Sequence, residues 1–421
     1  MILRLSAALL ILALACGLAA STVTQQSAPA AQEPSAPRPL TAPPGYMSAA
    51  EKAIAEKFKG ITTDGSVVPG LYSIKRTSVS TKPINDAAVA FINSLTEQQK
   101  AKTLYPVDSD EWRRWSNIHR YPREGISFAE MNALQRERAF QLLRASLSLK
   151  GFENARDIMR LNETIAEMTG RREEYGEGLY YFTVMAEPSA DKPWGWQLDG
   201  HHLVINYFIL KDQIVVTPTF MGSEPVFAES GKYAGTRVFE DEERNGLALM
   251  RALAPEQRAK AIISKDLPRD VFTTAFRDNF EMKYEGIAAR DLNGAQQKLL
   301  VGLIETYVGN IRPGHARVRI EEVKKHLADT YFAWMGGSDD ESVFYYRVHS
   351  PVILIEFDHQ RGVALRNEKP TRNHIHTVVR TPNGNDYGKD LLRQHHEQFD
   401  HSKPGHDHAH PGQNSRPKKP R

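Results

Sequence analysis

Apolar residues recur at two different spacings along the chain, and each spacing predicts a different kind of element. Between residues 292 and 311 they return every three or four positions, which is the period of one helix face. Between 203 and 210 they run almost without interruption and include β-branched and aromatic residues, which is typical of a buried strand. The pattern therefore predicts both helices and strands.

These segments follow one another in blocks. A helical block is followed by a strand cluster at about 179–220, a second helical block and a second strand cluster at about 331–380. Two-residue breaks such as Lys211-Asp212 separate apolar runs, as in a hairpin. This order predicts an α+β fold in which antiparallel sheet from the two clusters packs with two helical blocks. We find neither βαβ alternation nor a repeat of fixed length.

The N-terminal end resembles an export signal. Leu5–Leu14 form an apolar run of signal-peptide length after Arg4, and small residues follow. Cys16, the only cysteine of the 421 residues, lies where a bacterial lipoprotein is acylated. We therefore predict a signal peptide over 1–20, processed by ordinary cleavage or at Cys16, and an exported protein that is periplasmic or extracellular. A lipid at Cys16 is the one membrane attachment that the sequence suggests.

The rest of the chain falls into three regions of different composition, namely a linker, a domain and a tail. Residues 21–45 are rich in Ala, Ser and Pro and predict a disordered linker, and 401–421 predict a disordered tail of histidine and basic residues. A single domain remains over 46–400. The net charge is only +3 and the basic residues are dispersed outside the tail, which argues against nucleic acid as a partner. We expect a small-molecule or peptide ligand instead.

Two groups of histidines are the main candidates for chemistry. His374 and His376 are separated by one residue, so on a strand both face the same way and can bind one metal ion. The adjacent pair His201-His202 would point to opposite faces of a strand, and of the two we favour His202. These four residues predict a transition-metal centre containing Zn, Fe or Cu.

Glu356 lies in an apolar run, where a buried carboxylate needs a partner. That partner can be the metal, with Glu356 as fourth ligand or general base, or an arginine such as Arg347 or Arg380 in a structural ion pair. We assign Glu356 and Arg347 to catalysis.

Four further residues are assigned to a substrate pocket. Trp194 and Trp196 are large aromatic residues just before the histidine pair, and Phe220 ends the first strand cluster. Both tryptophans also suit a hydrophobic core. Asp386 completes the set, and it can also cap a final helix over 387–399.

Several of these features belong to longer motifs, namely Trp194–His202, Thr217–Pro225, Tyr345–Arg347, Leu354–Phe357, His374–His376 and Asn385–Gly388. In these motifs the chain resembles the bacterial and fungal family called domain of unknown function 3500. The resemblance extends over roughly Phe91 to His396. It implies export, as in many members, and brings no established activity.

Two functions follow from the sequence. The first is an exported metal-dependent enzyme, hydrolytic or oxidative, that uses the histidine-rich site. The alternative is a non-catalytic periplasmic or envelope binding protein whose histidines and tryptophans are structural.

Overall fold

The structure is a computed structural model that describes residues 41–43 and 45–399. The predicted signal peptide, most of the linker and the tail lie outside the described residues. The helices of the described part are α1 (Tyr46–Ala55), α2 (Lys82–Asn93), α3 (Glu97–Thr103), α4 (Ala133–Ser146), α5 (Leu149–Thr169), α6 (Arg172–Tyr175), α7 (Glu240–Ala252), α8 (Pro255–Ala261), α9 (Gly294–Val308), α10 (Pro313–Lys325) and α11 (Lys389–Gln398). In the part of the chain that is described, none of these helices is both long and apolar enough to span a bilayer.

The strands of the same part are β1 (Leu104–Tyr105), β2 (Ile126–Ser127), β3 (Tyr180–Met185), β4 (Trp194–Gly200), β5 (Leu203–Leu210), β6 (Gln213–Val215), β7 (Thr219–Ser223), β8 (Ile262–Ser264), β9 (Ile287–Ala288), β10 (Tyr331–Gly336), β11 (Phe344–His349), β12 (Leu354–Arg361) and β13 (Pro370–Arg380). They form one mixed, mostly antiparallel sheet in the order β1-β3-β4-β5-β7-β13-β12-β11-β10-β8. The predicted α+β class is confirmed, and the two strand clusters share one sheet.

The two halves of this sheet are built alike. The series α2, α3, β1, β2, α4, α5 and β3–β5 recurs in the same order as α7, α8, β8, β9, α9, α10 and β10–β12. β1 runs parallel to β3 as β8 does to β10. Trp196 pairs with Tyr207 and stacks on it, and Tyr346 does the same with Phe357. The fold is therefore an internal duplication.

The duplication has no fixed period, because the spacing between matching residues changes along the chain. Gln135 and Gln296 are 161 positions apart, and both accept a hydrogen bond from the helix-capping asparagine three residues earlier. Trp196 and Tyr346 are only 150 apart. The difference reflects insertions between the helices and the strands, and these remove the constant offset on which repeat detection depends.

The halves meet where β7 pairs antiparallel with β13, and we call this pair the seam. Thr219 lies opposite Val379 there, and each occupies the same place in its own half, because Ile205 pairs with Thr219 as Ile355 pairs with Val379. A pseudo-two-fold axis therefore passes through the sheet at the seam.

Alternation along the strands gives the sheet two different faces. The helix face carries residues such as Ile205, Met221 and Ile375, which pack with apolar residues of the long helices in one core. The loop face carries Phe220, His376 and alternate residues of the neighbouring strands, and a smaller cluster covers it with segments that include Trp115. Most of the buried polar side chains discussed below lie on the loop face.

A buried ion network fastens these covering segments to the sheet. Arg380 is fully buried and donates to Asp278 at 2.8 Å, to Asp386 at 3.1 Å and to the carbonyl oxygens of Thr273 and Thr274. Asp278 also accepts from Arg113, whose guanidinium donates to carbonyl oxygens at the end of α1. Each charge is thus offset by an opposite charge and by hydrogen bonds.

Replacing Arg380 tests this network. Arg380→Ala leaves the buried carboxylate of Asp386 without a guanidinium and Asp278 with Arg113 alone, so we expect a loss of about 3–5 kcal/mol in unfolding free energy. Arg393→Ala, which removes exposed ion pairs on α11, should cost less than about 1 kcal/mol. Urea titrations followed by circular dichroism measure both, and equal small losses would contradict the role given to Arg380.

Candidate metal centre

The histidine pair forms the turn of a hairpin and is not part of a strand. Gly200 pairs with Leu203 across it, and His202 takes a φ of 63°. The rings of His201 and His202 stack with their centroids 3.8 Å apart, so the expectation that they point to opposite faces is wrong. Nδ1 of His201 lies 2.7 Å from the side-chain oxygen of Asn162, which turns this ring away from the site that His202 joins.

Three imidazoles, those of His202, His374 and His376, converge on the loop face, and we call them the triad. Nε2 of His374 lies 3.0 Å from Nε2 of His376 and 3.2 Å from Nε2 of His202. The Nε2 atoms of His376 and His202 are 3.1 Å apart. These three buried histidines lie close enough together to hold a metal ion. Four-coordinate zinc with bonds of about 2.0–2.1 Å separates its ligand nitrogens by about 3.3 Å, which is near the observed spacing.

The partners of the other ring nitrogens fix two of the tautomers. Nδ1–H of His374 donates to the carbonyl oxygen of Arg361 at 2.6 Å, and Nδ1–H of His376 donates to Asp270 at 2.7 Å. When Nδ1 holds the proton of a neutral ring, Nε2 carries the lone pair, and in both rings Nε2 faces the other two Nε2 atoms. Lone pairs repel one another at this distance, and a shared cation turns the repulsion into attraction. Carboxylate and carbonyl acceptors behind histidine ligands are typical of metal sites.

Burial favours the neutral form of His202 and His374. It lowers the pKa of His202 and His374 well below 6.5, and the nearby histidines lower both further. A histidine must be unprotonated at the binding nitrogen to bind a metal, so the depressed pKa values favour the binding form at neutral pH.

Carboxylates surround the triad. Besides Asp270, Glu224 lies 3.6 Å from Nδ1 of His374 and accepts three backbone N–H groups from residues 363–365. Asp358 pairs with His376 across β12 and β13, is fully buried, and has one oxygen without a hydrogen-bond partner among the described atoms. Burial raises the pKa of Asp358 well above its usual value, and the charges of Asp270 and Glu356 add to the effect. The charges of Asp270 and Glu224 suit a bound cation, and a cation would also favour the ionised form of Asp358.

Glycine at position 222 makes room for the triad. A Cβ atom there would lie 2.7 Å from the carbonyl oxygen of Ile375, 2.9 Å from Cδ2 of His376 and 3.3 Å from Cδ2 of His202. Two of the three rings therefore pack over the bare backbone of β7, and no side chain fits between them.

Glu356 has a different role from the one expected. Its carboxylate accepts hydrogen bonds from the backbone N–H of Phe272 and Thr273, from the Thr273 hydroxyl at 2.5 Å and from the Tyr345 hydroxyl at 2.8 Å. It is not among the residues whose ligand atoms meet at the triad. Both Glu356 oxygens accept hydrogen bonds that hold a covering loop. Glu356 is therefore neither a fourth metal ligand nor the partner of an arginine, two roles expected from the sequence.

Two other assigned residues are also structural in their contacts. Arg347 lies opposite Glu356 on β11 and donates to Glu285 at 2.7 Å. Asp386 binds Arg380 and the backbone N–H of Thr381, and Gly388 is the residue that caps α11. Asp386 therefore belongs to the buried ion network and not to the cap or the pocket expected for it.

The aromatic residues assigned to the pocket separate onto the two faces. Trp194 and Trp196 belong to the core on the helix face, where Trp196 stacks on Tyr207, so they cannot line a pocket at the triad. Phe220 is on the loop face, and its ring centroid lies 5.0 Å from that of His376. Of the four pocket residues, Phe220 alone adjoins the histidines.

Comparison with known proteins places the chain in a family. A family model described as a protein of unknown function (DUF3500) matches residues 77–389, which is most of the chain. The chain belongs to this family. No curated protein and no solved structure matches it. The affiliation agrees with the resemblance seen in the motifs, and His202, His374, His376 and Asp270 all lie inside the matched region.

A substitution at Gly222 tests how tightly the triad is packed. Gly222→Ala places a methyl group against two imidazoles, so we expect the affinity for a divalent transition metal to fall by about 10- to 100-fold. Gly302→Ala on α9, where an added Cβ meets nothing within 4 Å, is the control and should leave affinity unchanged. Competition titration with a chromogenic chelator measures both; equal affinities would show that the triad does not need this glycine.

Proposed function

We propose that this protein is a metal-dependent enzyme whose single metal ion is held by Nε2 of His202, His374 and His376. The observation that carries the proposal is the convergence of three buried Nε2 atoms within 3.0–3.2 Å, with acceptors behind two of the rings. A structural role for buried histidines is met by separate hydrogen bonds, as for His201 with Asn162, and does not require three Nε2 atoms to meet.

Hydrolysis is the chemistry that suits this arrangement best. Three protein ligands leave at least one position of a zinc-like ion open, and such an ion lowers the pKa of bound water to about 7. Asp270 orients His376, and Asp358, which lies opposite His376 across β12 and β13, has a buried oxygen that could accept a hydrogen bond from a metal-bound water. Phe220 supplies an apolar wall beside His376.

One observation favours oxidation as a second candidate. His202 stacks on His201, whose ring centroid lies 5.2 Å from that of Tyr175, and His119 adjoins both Tyr175 and His201. This aromatic row starts at a proposed ligand, and rows of this kind can carry electrons to or from a redox-active metal. Iron or copper would then be the ion, because both accept imidazole ligands and change oxidation state.

We further propose that the chain is exported. The support is the apolar run Leu5–Leu14 followed by small residues, and Cys16 offers a lipid attachment. Cell fractionation of the full chain and of Cys16→Ser tests this. Retention in the cytoplasm would contradict export, and equal membrane association of both forms would contradict the lipid.

Metal content is the first test of the proposed function. The full chain should be purified with the tail residues His401, His406, His408 and His410 replaced by Asn, because these would bind metal unspecifically. We expect about one transition-metal ion per chain by mass spectrometry, and less than about a tenth of that in His374→Ala or His202→Ala. His326→Ala, outside the triad, is the control. A metal-free parent that does not take up added zinc, iron or copper contradicts the proposal.

Activity separates an enzyme from a binding protein. We expect the metal-loaded chain to hydrolyse a member of a panel of chromogenic esters, amides and phosphodiesters, and His374→Ala to lower kcat/KM by more than about 100-fold. Oxygen-dependent turnover of phenolic substrates by the iron or copper form would favour the oxidative candidate. A stable metal complex without turnover in either assay would instead support the alternative of a non-catalytic binding protein.

A further inference from the structure

A cavity of about 270 Å³ lies on the helix face of the seam, on the opposite side of the sheet from the three histidines. Its floor is formed by residues of the central strands, namely Ile205, Thr219, Met221, Thr377 and Val379. Thr377 directly follows His376 and points to the other face. The cavity is therefore a separate site, and a ligand bound there does not require a metal at the histidines.

The cavity arises from a difference between the two halves. α5 has Gly151 as its third residue, and a Cβ there would lie 2.0 Å from the carbonyl oxygen of Asn310, so this helix packs closely against the segment between α9 and α10. α10 has His315 as its third residue, and that buried imidazole lines the cavity. His315 is larger than glycine, so α10 does not pack as closely as α5 does. A space remains beside α10, whereas α5 fills the matching space in the first half.

The walls of this space are mainly apolar. Besides the floor they include Leu147, Val308, Ile311, Val352 and Ile353. A cavity of about 150 Å³ lined by apolar side chains is known to accept benzene. By proportion, a chain of roughly eight to ten carbon atoms fits here.

The lining also carries an excess of positive charge. It includes the cations Lys75, Arg319 and Lys325 and a single carboxylate, Glu322. Glu322 already pairs with Lys75 at 2.6 Å and with Arg319 at 3.3 Å. Lys325 is exposed on the last turn of α10. An apolar interior with spare positive charge fits a ligand that has a hydrocarbon tail and one anionic group.

We propose that this cavity binds a small amphipathic monocarboxylate, a medium-chain fatty acid of about eight to ten carbons. The tail lies over Thr219 and Val379 at the seam, and the carboxylate faces Lys325 at the end of α10. The proposed ligand is lipid-like. It binds on the helix face of the sheet and does not contact the histidines.

Calorimetric titration of the full chain with decanoate and decanol tests the proposal. We expect decanoate to bind at least about 10-fold more tightly than decanol, because only decanoate can pair with Lys325. Lys325→Glu should remove this preference. Lys324→Glu is the matched control, since Lys324 is also exposed at the end of α10 but pairs with Glu321 and does not line the cavity.

A second variant tests the location. Val379→Phe fills the floor of the cavity and should lower decanoate affinity by more than about 10-fold, with a melting curve that shows the variant to be folded. If it does not fold, the loss of preference in Lys325→Glu still decides the question. No binding of decanoate to the parent, equal binding of decanol, or unchanged binding in Lys325→Glu would overturn the proposal.

Discussion

The antiparallel pairing of β7 with β13 is the constraint on which the rest of the structure depends. It joins two similar halves into one sheet, with Thr219 opposite Val379 near the pseudo-two-fold axis. The same register sets His376 beside Gly222, so that the hairpin turn of the first half can bring His202 onto a strand of the second. Because alternate residues face opposite ways, a shift of one residue would send both strand histidines into the helix-face core. The candidate metal centre is therefore a product of the seam, and neither half contains it alone.

Much of the fold could be predicted from the sequence because it is encoded by local periodicity. The apolar face at 292–311 predicted α9, which runs Gly294–Val308 after the cap residue Asn293, and Lys211-Asp212 do form the turn between β5 and β6. The spacing of His374 and His376 is also sufficient to predict that the two imidazoles share one face of the sheet, since side chains alternate along a strand. That these two meet His202, about 170 positions earlier, depends on the seam, and no local pattern encodes a strand pairing between two halves.

The remaining site features could not be predicted because they depend on which loop covers which strand. Asp270 lies in an irregular segment without periodicity, so nothing marked it as the partner of His376. Glu356 and Asp358 share one strand face, and only the structure shows that a covering loop satisfies the first and leaves an oxygen of the second without a described partner. Trp196 lies in the core and not in the expected pocket. An aromatic residue near a histidine suits a pocket wall and a core equally well, and the burial of one sheet face beneath helices decides between them.

The central claim is that the three Nε2 atoms are the ligands of one metal ion. X-ray absorption spectroscopy of the metal-loaded full chain, with the four tail histidines replaced, tests it most directly. We expect about three imidazole nitrogens at about 2.0–2.1 Å from the ion, with one or more further light-atom ligands, and the loss of one imidazole in His202→Ala. A first shell with one imidazole or none, or a spectrum that does not change in His202→Ala, would contradict it.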